Sequence, residues 1–231
     1  MKYSTTLIDS VRLIAALACL ALTAPPGAAQ SVPDPDVSQI PPPAARSSEP
    51  ARKLTPAQIV AELKRGGYVI YLRHTSTDFS QSDAASKSFD DCNHQRNLTD
   101  AGRAQARTIG SAVRRLQFRI DRIVASPMCR TMETARLAFG EAEPVPELRG
   151  AALPLSDPGR YAMLRNLFAT PYPRGANLAI ASHGNPFHGT AGPPYLNEGE
   201  AAMIRGLGNG NFEIVARIRV DDWSALVGAA K

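Results

Sequence analysis

Three short apolar runs constrain the fold of this chain more than any other feature of its sequence. They have the length and residue types of buried strands, and each is followed by a charged or titratable side chain. These side chains are Arg73 and His74 after residues 68–72, Arg130 shortly after residues 121–126, and His183 after residues 177–182. Because ligands of open α/β sheets bind beyond the carboxyl ends of the strands, we expect all four side chains to share one pocket.

Helical patterns separate these runs. Thr55 and Thr99 stand where helix N-caps are expected, ahead of amphipathic stretches that end near Leu63 and Gln117. Helical spacing recurs at 127–139 and 157–168, and a β-hairpin that turns at 208–210 is expected over 203–220. The alternation predicts an α/β fold, a three-layer α/β/α sandwich with a mostly parallel central sheet and an antiparallel edge.

The N-terminal residues have the pattern of an export signal. Lys2 and Arg12 precede an apolar run at 13–24, and small residues suited to cleavage follow it. The run is shorter than the ~20 residues that a membrane-spanning helix needs. We therefore predict a signal peptide over residues 1–29, no stable membrane anchor, and a periplasmic or secreted protein. Lipid attachment at Cys19 is the less favoured alternative.

Composition divides the remaining chain in two. Residues 30–53 are rich in proline, serine and small residues, which is typical of a disordered linker. Residues 54–231 have the length of one domain with a single core. The formal net charge of +5 is mild and its basic residues are scattered, so the composition disfavours a nucleic-acid surface.

The motifs at the ends of the runs resemble the histidine phosphatase (phosphoglycerate mutase-like) superfamily. The resemblance covers about residues 68–220 and rests on residues 72–77, 95–106, 126–134 and 182–185. It implies that His74 is the nucleophile, that Arg73 and Arg130 bind the phosphoryl group, and that His183 donates a hydrogen bond to that group. It implies no metal ion or other cofactor.

These residue types suit phosphoryl transfer on physical grounds as well. A catalyst must neutralise the phosphate oxygens and align a nucleophile with the leaving oxygen. The planar arginine fork binds two phosphate oxygens and stays charged, and a neutral imidazole is nucleophilic near neutral pH.

Two further residues are candidates for phosphate binding. Thr75 stands where the family usually has glycine, and its hydroxyl group is expected either to crowd the phosphate or to donate to it. Arg96 is expected either to add a third cation to the site or to hold its own loop in place.

The general acid that protonates the leaving group is the least defined residue. Glu147 is the candidate closest to the family's position, although Gly150 is the residue that aligns there. The alternatives are Glu198, Glu200 and Asp78. If none of them donates a proton, activity is restricted to substrates with good leaving groups.

Cys92 and Cys129 are the two cysteines of the predicted mature chain. Export would place them in an oxidising compartment, where a disulfide persists. A bridge would join the loop after the first strand to the segment that carries Arg130. Two buried free thiols are the alternative.

The sequence thus predicts an exported phosphatase that hydrolyses phosphomonoesters through a phosphohistidine on His74. A small phosphorylated substrate is expected, such as a cell-envelope sugar or a lipid-linked phosphate. A non-catalytic phosphate-binding protein of the same fold and a phosphohistidine phosphatase are the alternatives. A glycolytic mutase is disfavoured, because export separates it from its metabolites.

Overall fold

The computed structural model describes residues 54–154 and 156–230. The predicted signal peptide (1–29), the predicted linker (30–53) and Cys19 lie outside the described residues. Within the described ranges, no helix is both long and apolar enough to span a bilayer.

In the described part of the chain, six strands form one mixed sheet. They are β1 (Val69–Arg73), β2 (Ile120–Ala125), β3 (Glu143–Pro144), β4 (Asn177–Ser182), β5 (Ala201–Gly208) and β6 (Asn211–Ile218). Their order across the sheet is β3-β2-β4-β1-β5-β6. The first four of these neighbours pair in parallel, whereas β5 is antiparallel to both β1 and β6. The predicted parallel sheet with an antiparallel edge is confirmed.

Six α-helices within residues 54–154 and 156–230 cover the sheet. They are α1 (Pro56–Arg65), α2 (Asp100–Leu116), α3 (Cys129–Ala138), α4 (Ala162–Ala169), α5 (Gly184–Ala191) and α6 (Asp222–Ala229). The two predicted N-caps are present: the Thr55 hydroxyl accepts from the Gln58 amide, and that of Thr99 accepts from the Gly102 amide. Each satisfies an N–H group that has no partner within its helix.

Strand β1 shows how the two faces of the sheet are buried. Its side chains alternate, so that Ile70 and Leu72 pack in one apolar core and Val69 and Tyr71 pack in another. Helices α1, α2 and α6 contribute to the first core, and α4 and α5 to the second. The sheet therefore lies between two helical layers, as predicted.

Some elements differ from the sequence prediction. The helix expected over 157–168 is a short 3-10 helix, Pro158–Tyr161, followed by α4. Helix α5 was not predicted, because its Gly-Asn-Pro start has the composition of a turn. Burial of Phe187 and Ala191 in the second core stabilises this short helix, and such tertiary packing overrides local propensity.

The sheet order brings the three predicted strand ends together. Strand β4 lies between β2 and β1, and the three run in parallel, so their carboxyl ends meet at one edge. Two backbone hydrogen bonds extend the ladder beyond the strands. The His74 amide donates to the Ser182 carbonyl oxygen at 2.9 Å, and the Ser126 amide donates to that of Ala181 at 3.0 Å.

Candidate active site

His74 directly follows β1 and is 1% exposed. Its Nδ1 lies 3.0 Å from the carbonyl oxygen of Thr75. A carbonyl oxygen can only accept, so Nδ1 carries the proton and Nε2 keeps its lone pair in the neutral ring. Burial, and then the positive charge of Arg130, holds the pKa of His74 well below its usual range. His74 is therefore a neutral imidazole with a free nucleophilic nitrogen.

His183 lies beside His74, with 5.5 Å between the ring centroids. It is 8% exposed, and burial and the charge of Arg130 also hold its pKa well below the usual range. Its Nε2 lies 2.9 Å from the hydroxyl oxygen of Ser126, and the Tyr71 hydroxyl donates to its carbonyl oxygen at 2.6 Å. Ring and backbone are therefore both fixed.

Arg130 lies in the first turn of α3 and is 3% exposed. Its two terminal nitrogens donate to the two carboxylate oxygens of Asp83 at 2.9 and 3.0 Å. One of them also donates to the carbonyl oxygen of Arg96 at 3.2 Å. Because Arg130 lowers the pKa of both His74 and His183, its charge acts directly on the two imidazoles.

Arg73 approaches the site from the end of β1. One terminal nitrogen donates to the Leu196 carbonyl oxygen at 2.6 Å, and the guanidinium carbon lies 5.1 Å from the centroid of the Tyr195 ring. Its Nε is buried and, among the described residues, has no hydrogen-bond partner. A buried donor of this kind is costly to leave unpaired, and an anionic oxygen would satisfy it.

Arg96 lies within electrostatic reach of the site. Its positive charge contributes to the low pKa values of His74 and His183, and its guanidinium carbon lies 4.8 Å from the centroid of the Phe79 ring. Its backbone amide donates to Asp83 at 2.8 Å. The structure therefore shows Arg96 both as a nearby cation and as part of the loop's framework.

Thr75 is fully buried between β1 and α3. Its hydroxyl oxygen lies 3.4 Å from that of Thr134, which in turn donates to the Arg130 carbonyl oxygen at 2.7 Å. The Thr75 side chain thus packs against the helix that carries Arg130. A direct contact between Thr75 and phosphate stays a prediction.

Neither Glu147 nor Asp78, two of the predicted acid candidates, has surroundings that favour a role as proton donor. Glu147 is exposed on a short 3-10 helix, Pro146–Arg149, whereas its neighbour Leu148 is buried. Asp78 accepts hydrogen bonds from the amide and hydroxyl groups of Ser80, which lower the pKa of its carboxyl group and favour the ionised form.

Glu198 and Glu200 have different surroundings. Glu200 forms an ion pair with Arg217 at 2.7 Å. Glu198 accepts from the Thr77 hydroxyl at 2.7 Å, and its carboxylate lies 3.8 Å from Nδ1 of His74. Among the four predicted candidates, Glu198 is therefore the one whose carboxylate lies beside His74, the predicted nucleophile.

Three residues near the site were not predicted. Ser126 holds His183, Asp83 pairs with Arg130, and the charge of Arg149 helps to lower the pKa of His183. Ser126 is the last residue before the Pro-Met-Cys-Arg turn, so its place at a strand end was a usable signal. Asp83 lies in a polar loop without a motif, and nothing in the sequence connects it with Arg130.

Cys92 and Cys129 are joined by a disulfide, with 5.7 Å between their Cα atoms. Cys129 is the first residue of α3 and directly precedes Arg130. The Cys129 amide also donates to the side-chain oxygen of Gln95 at 2.9 Å. The loop that contains Asp83 is thus tied to the start of the helix that carries Arg130.

The site combines two neutral imidazoles with guanidinium groups that converge on them. This arrangement suits a tetrahedral dianion held by arginine beside a nucleophilic nitrogen. Within residues 54–154 and 156–230, no three or more His, Cys, Asp or Glu side chains lie close enough together to hold a metal ion.

Comparison with known proteins gives a family match and several structural similarities. The family described as histidine phosphatase superfamily (branch 1) matches residues 69–151, a segment that includes Arg73, His74 and Arg130. No curated protein matches the chain. The structure is similar to the protein histidine phosphatase SixA complexed with tungstate, at 23% identity over 67% of this chain and 98% of that one, with a TM-score of 0.48. It is also similar to a mutant phosphoserine phosphatase from Entamoeba histolytica in complex with phosphoserine, at 14% identity over 65% and 95% of the two chains, with a TM-score of 0.46.

Proposed function

We propose that this chain, which belongs to the histidine phosphatase superfamily, hydrolyses phosphomonoesters through a phosphohistidine on His74. The family match supports phosphatase activity in general. The protonation state of the His74 ring is the observation that supports the phosphohistidine mechanism. Its Nδ1 proton is held by the Thr75 carbonyl oxygen and its pKa is well below the usual range, so Nε2 is free to attack at neutral pH.

Arginine binds the phosphoryl group in this proposal. The buried Nε of Arg73 is a donor in need of an acceptor, and the Arg130 fork has the geometry for two phosphate oxygens. Their charges offset the repulsion that keeps a nucleophile away from a phosphate dianion. His183, held by Ser126, supplies a further hydrogen bond to the phosphoryl oxygens.

The reaction then has two steps. The Nε2 lone pair of His74 forms a bond to phosphorus, the phosphorus–oxygen ester bond breaks, and the leaving oxygen takes the electron pair and a proton from the carboxyl group of Glu198, the acid candidate beside His74. In the second step water attacks phosphorus and gives its proton to the Glu198 carboxylate, and the phosphorus–nitrogen bond breaks with its electron pair returning to Nε2. The enzyme is regenerated, and the products are an alcohol and inorganic phosphate.

Export completes the proposal. The pattern of residues 1–29 supports a periplasmic or secreted protein, and the Cys92–Cys129 disulfide is a feature that persists in an oxidising compartment. A phosphorylated envelope sugar or a lipid-linked phosphate fits that location. Fractionation of cells that express the full chain, followed by N-terminal sequencing of the product, tests the export and the cleavage.

Hydrolysis of para-nitrophenyl phosphate tests the activity. We expect turnover that persists with a metal chelator and disappears in His74→Ala. His94→Ala is the matched control, because His94 is exposed and paired with Asp91 on the loop. Brief incubation with substrate and acid-free denaturation should trap a phosphohistidine in the wild type. Turnover in His74→Ala equal to that of the wild type would remove the mechanism, whereas phosphate binding without turnover in the wild type would favour a non-catalytic binding protein.

A further inference from the structure

The carboxylate of Asp83 lies where the phosphoryl group is expected. It bonds to both terminal nitrogens of Arg130, at 2.9 and 3.0 Å. The same carboxylate accepts from the Arg96 backbone amide at 2.8 Å. Arg130 is buried, so this pair is largely shielded from solvent on the arginine side.

A carboxylate and a phosphoryl group can each bind the edge of a guanidinium group that carries its two terminal nitrogens, which is the edge of Arg130 that Asp83 occupies. Each places two oxygens against two parallel N–H groups of the planar fork. One fork cannot hold both ligands in this way at once. A phosphoryl group that binds the Arg130 fork must therefore displace Asp83.

The chain keeps Asp83 close to Arg130 after displacement. The disulfide between Cys92 and Cys129 ties the loop to the start of α3, and Gln95 adds a hydrogen bond to the Cys129 amide. A tethered group competes at a high effective concentration. Asp83 is thus an intramolecular competitor that is always present at the site.

The competitor carries one negative charge. A phosphomonoester is mostly dianionic above its second pKa of about 6 and gains more from the surrounding arginine charges than a carboxylate does. A phosphodiester or another carboxylate has a single charge and has no such advantage. Every ligand pays the same cost to displace Asp83, and a dianion offsets that cost more fully than a monoanion does.

We propose that Asp83 sets an affinity threshold for the site by competing for Arg130, so that dianionic phosphomonoesters bind strongly enough to displace it and monoanionic groups bind weakly. The proposal rests on the proposed function, since it takes the Arg130 fork as the phosphoryl site. It adds a residue that competes with the ligand without taking part in the chemistry.

Titration calorimetry with two matched ligands tests this competition. Phenylphosphonate is a dianion without a hydrolysable ester, and its monomethyl ester is a monoanion of nearly the same shape. In Asp83→Asn we expect the monoester of phenylphosphonate to bind roughly tenfold more tightly than to the wild type, the size of effect expected for removing one charge-assisted pair. Phenylphosphonate should gain by a similar factor, because the cost of releasing Asp83 from Arg130 is the same for every ligand.

Asp90→Asn is the control, because Asp90 lies on the same loop and its carboxylate bonds to Ser88 instead of an arginine. It should leave both affinities unchanged. Affinities of both ligands for Asp83→Asn equal to those for the wild type would overturn the competition. Failure of the wild type and of Asp83→Asn to bind either ligand would overturn the phosphoryl site itself, and with it the proposed function.

Hydrogen exchange on the wild type gives a second test that does not depend on the folding of a variant. The Arg96 amide donates to Asp83, so displacement of that carboxylate removes its acceptor. Saturation with phenylphosphonate should therefore accelerate exchange at the Arg96 amide while the amide of His74, which is bonded to Ser182, stays protected. Binding of phenylphosphonate with unchanged or slower exchange at Arg96 would contradict the displacement.

Discussion

Two sides of the candidate active site are built in different ways. The strand-end side consists of His74, Ser126 and His183, and backbone bonds that continue the β-ladder hold two of them in register. The loop–helix side consists of Asp83, Arg96 and Arg130, and an ion pair and a disulfide hold it together. The backbone bonds of the β-ladder are part of the fold. In an ion pair, by contrast, a charged ligand can replace one of the two partners. The comparison suggests that the first side carries the chemistry and the second sets how strongly a ligand binds.

The largest effect is expected on the strand-end side, at the nucleophile. His74→Asn keeps a polar group of similar size but removes Nε2, so we expect kcat/KM to fall by at least about 10⁴-fold. Steady-state kinetics with an aryl phosphate measures this, with His94→Asn as the control. A fall of less than tenfold would mean that another group attacks phosphorus.

The corresponding change on the loop–helix side is Arg130→Lys. Lysine keeps the charge but loses the fork, so we expect kcat/KM to fall by roughly 10²-fold. Arg103→Lys is a suitable control, since Arg103 pairs with Glu133 on the outside of the helices. Equal kinetics for Arg130→Lys and Arg103→Lys would show that charge alone suffices at this side.

Removal of the disulfide is a further way to distinguish the roles of the two sides. The double variant Cys92→Ser/Cys129→Ser should lose about 2–4 kcal/mol of unfolding free energy, the usual range for a native bridge. Denaturant unfolding measures that loss. Because the bridge joins two segments of the loop–helix side, we expect KM to rise more than kcat falls. A fall in kcat with an unchanged KM would place the effect of the bridge on the chemistry.

Acid should lower the free energy of unfolding first through the two histidines of the strand-end side. Both His74 and His183 have folded-state pKa values below the usual one, so below about pH 6.5 the unfolded chain binds protons that the folded chain does not. Stability therefore falls as the pH drops below that value, by up to about 2.7 kcal/mol per pH unit for two sites. Asp83 and Glu200, whose carboxyl pKa values are lowered in the folded chain, add to the loss at more acidic pH.

Chemical denaturation between about pH 7 and pH 5 tests this, since that range covers the reference pKa of histidine. The variant His183→Asn should show roughly half the slope of the wild type over this range. A slope that is the same in both proteins would show that His183 is protonated in the folded state.

The smallest effect is expected for Ser126→Ala. It leaves His183 in place but removes the hydroxyl group that fixes the ring, so we expect a loss of about fivefold in kcat, equivalent to one neutral hydrogen bond. Ser156→Ala on the surface is the control. A larger loss than that of Arg130→Lys would show that the orientation of His183 limits the rate.

Short-range sequence patterns predicted much of the fold and of the candidate site. The caps Thr55 and Thr99, the alternation along β1 and the polar residues at three strand ends are short-range patterns, and they led to the sheet and to His74, Arg73, Arg130 and His183. The Cys92–Cys129 pair was likewise within reach, because only two cysteines remain in the predicted mature chain.

Contacts between distant segments decided the rest. The pairing of Asp83 with Arg130 joins residues 47 positions apart, and the contact of Ser126 with His183 joins residues 57 positions apart. Neither has a periodic or motif signal, because an ion pair or hydrogen bond of this kind depends on how a loop folds over the sheet edge. Helix α5 likewise exists because the second core buries it, although its own sequence favours a turn. The residues proposed to do the chemistry are therefore recognisable from the sequence, whereas the groups that hold them, and the group proposed to compete with the ligand, depend on the folded arrangement.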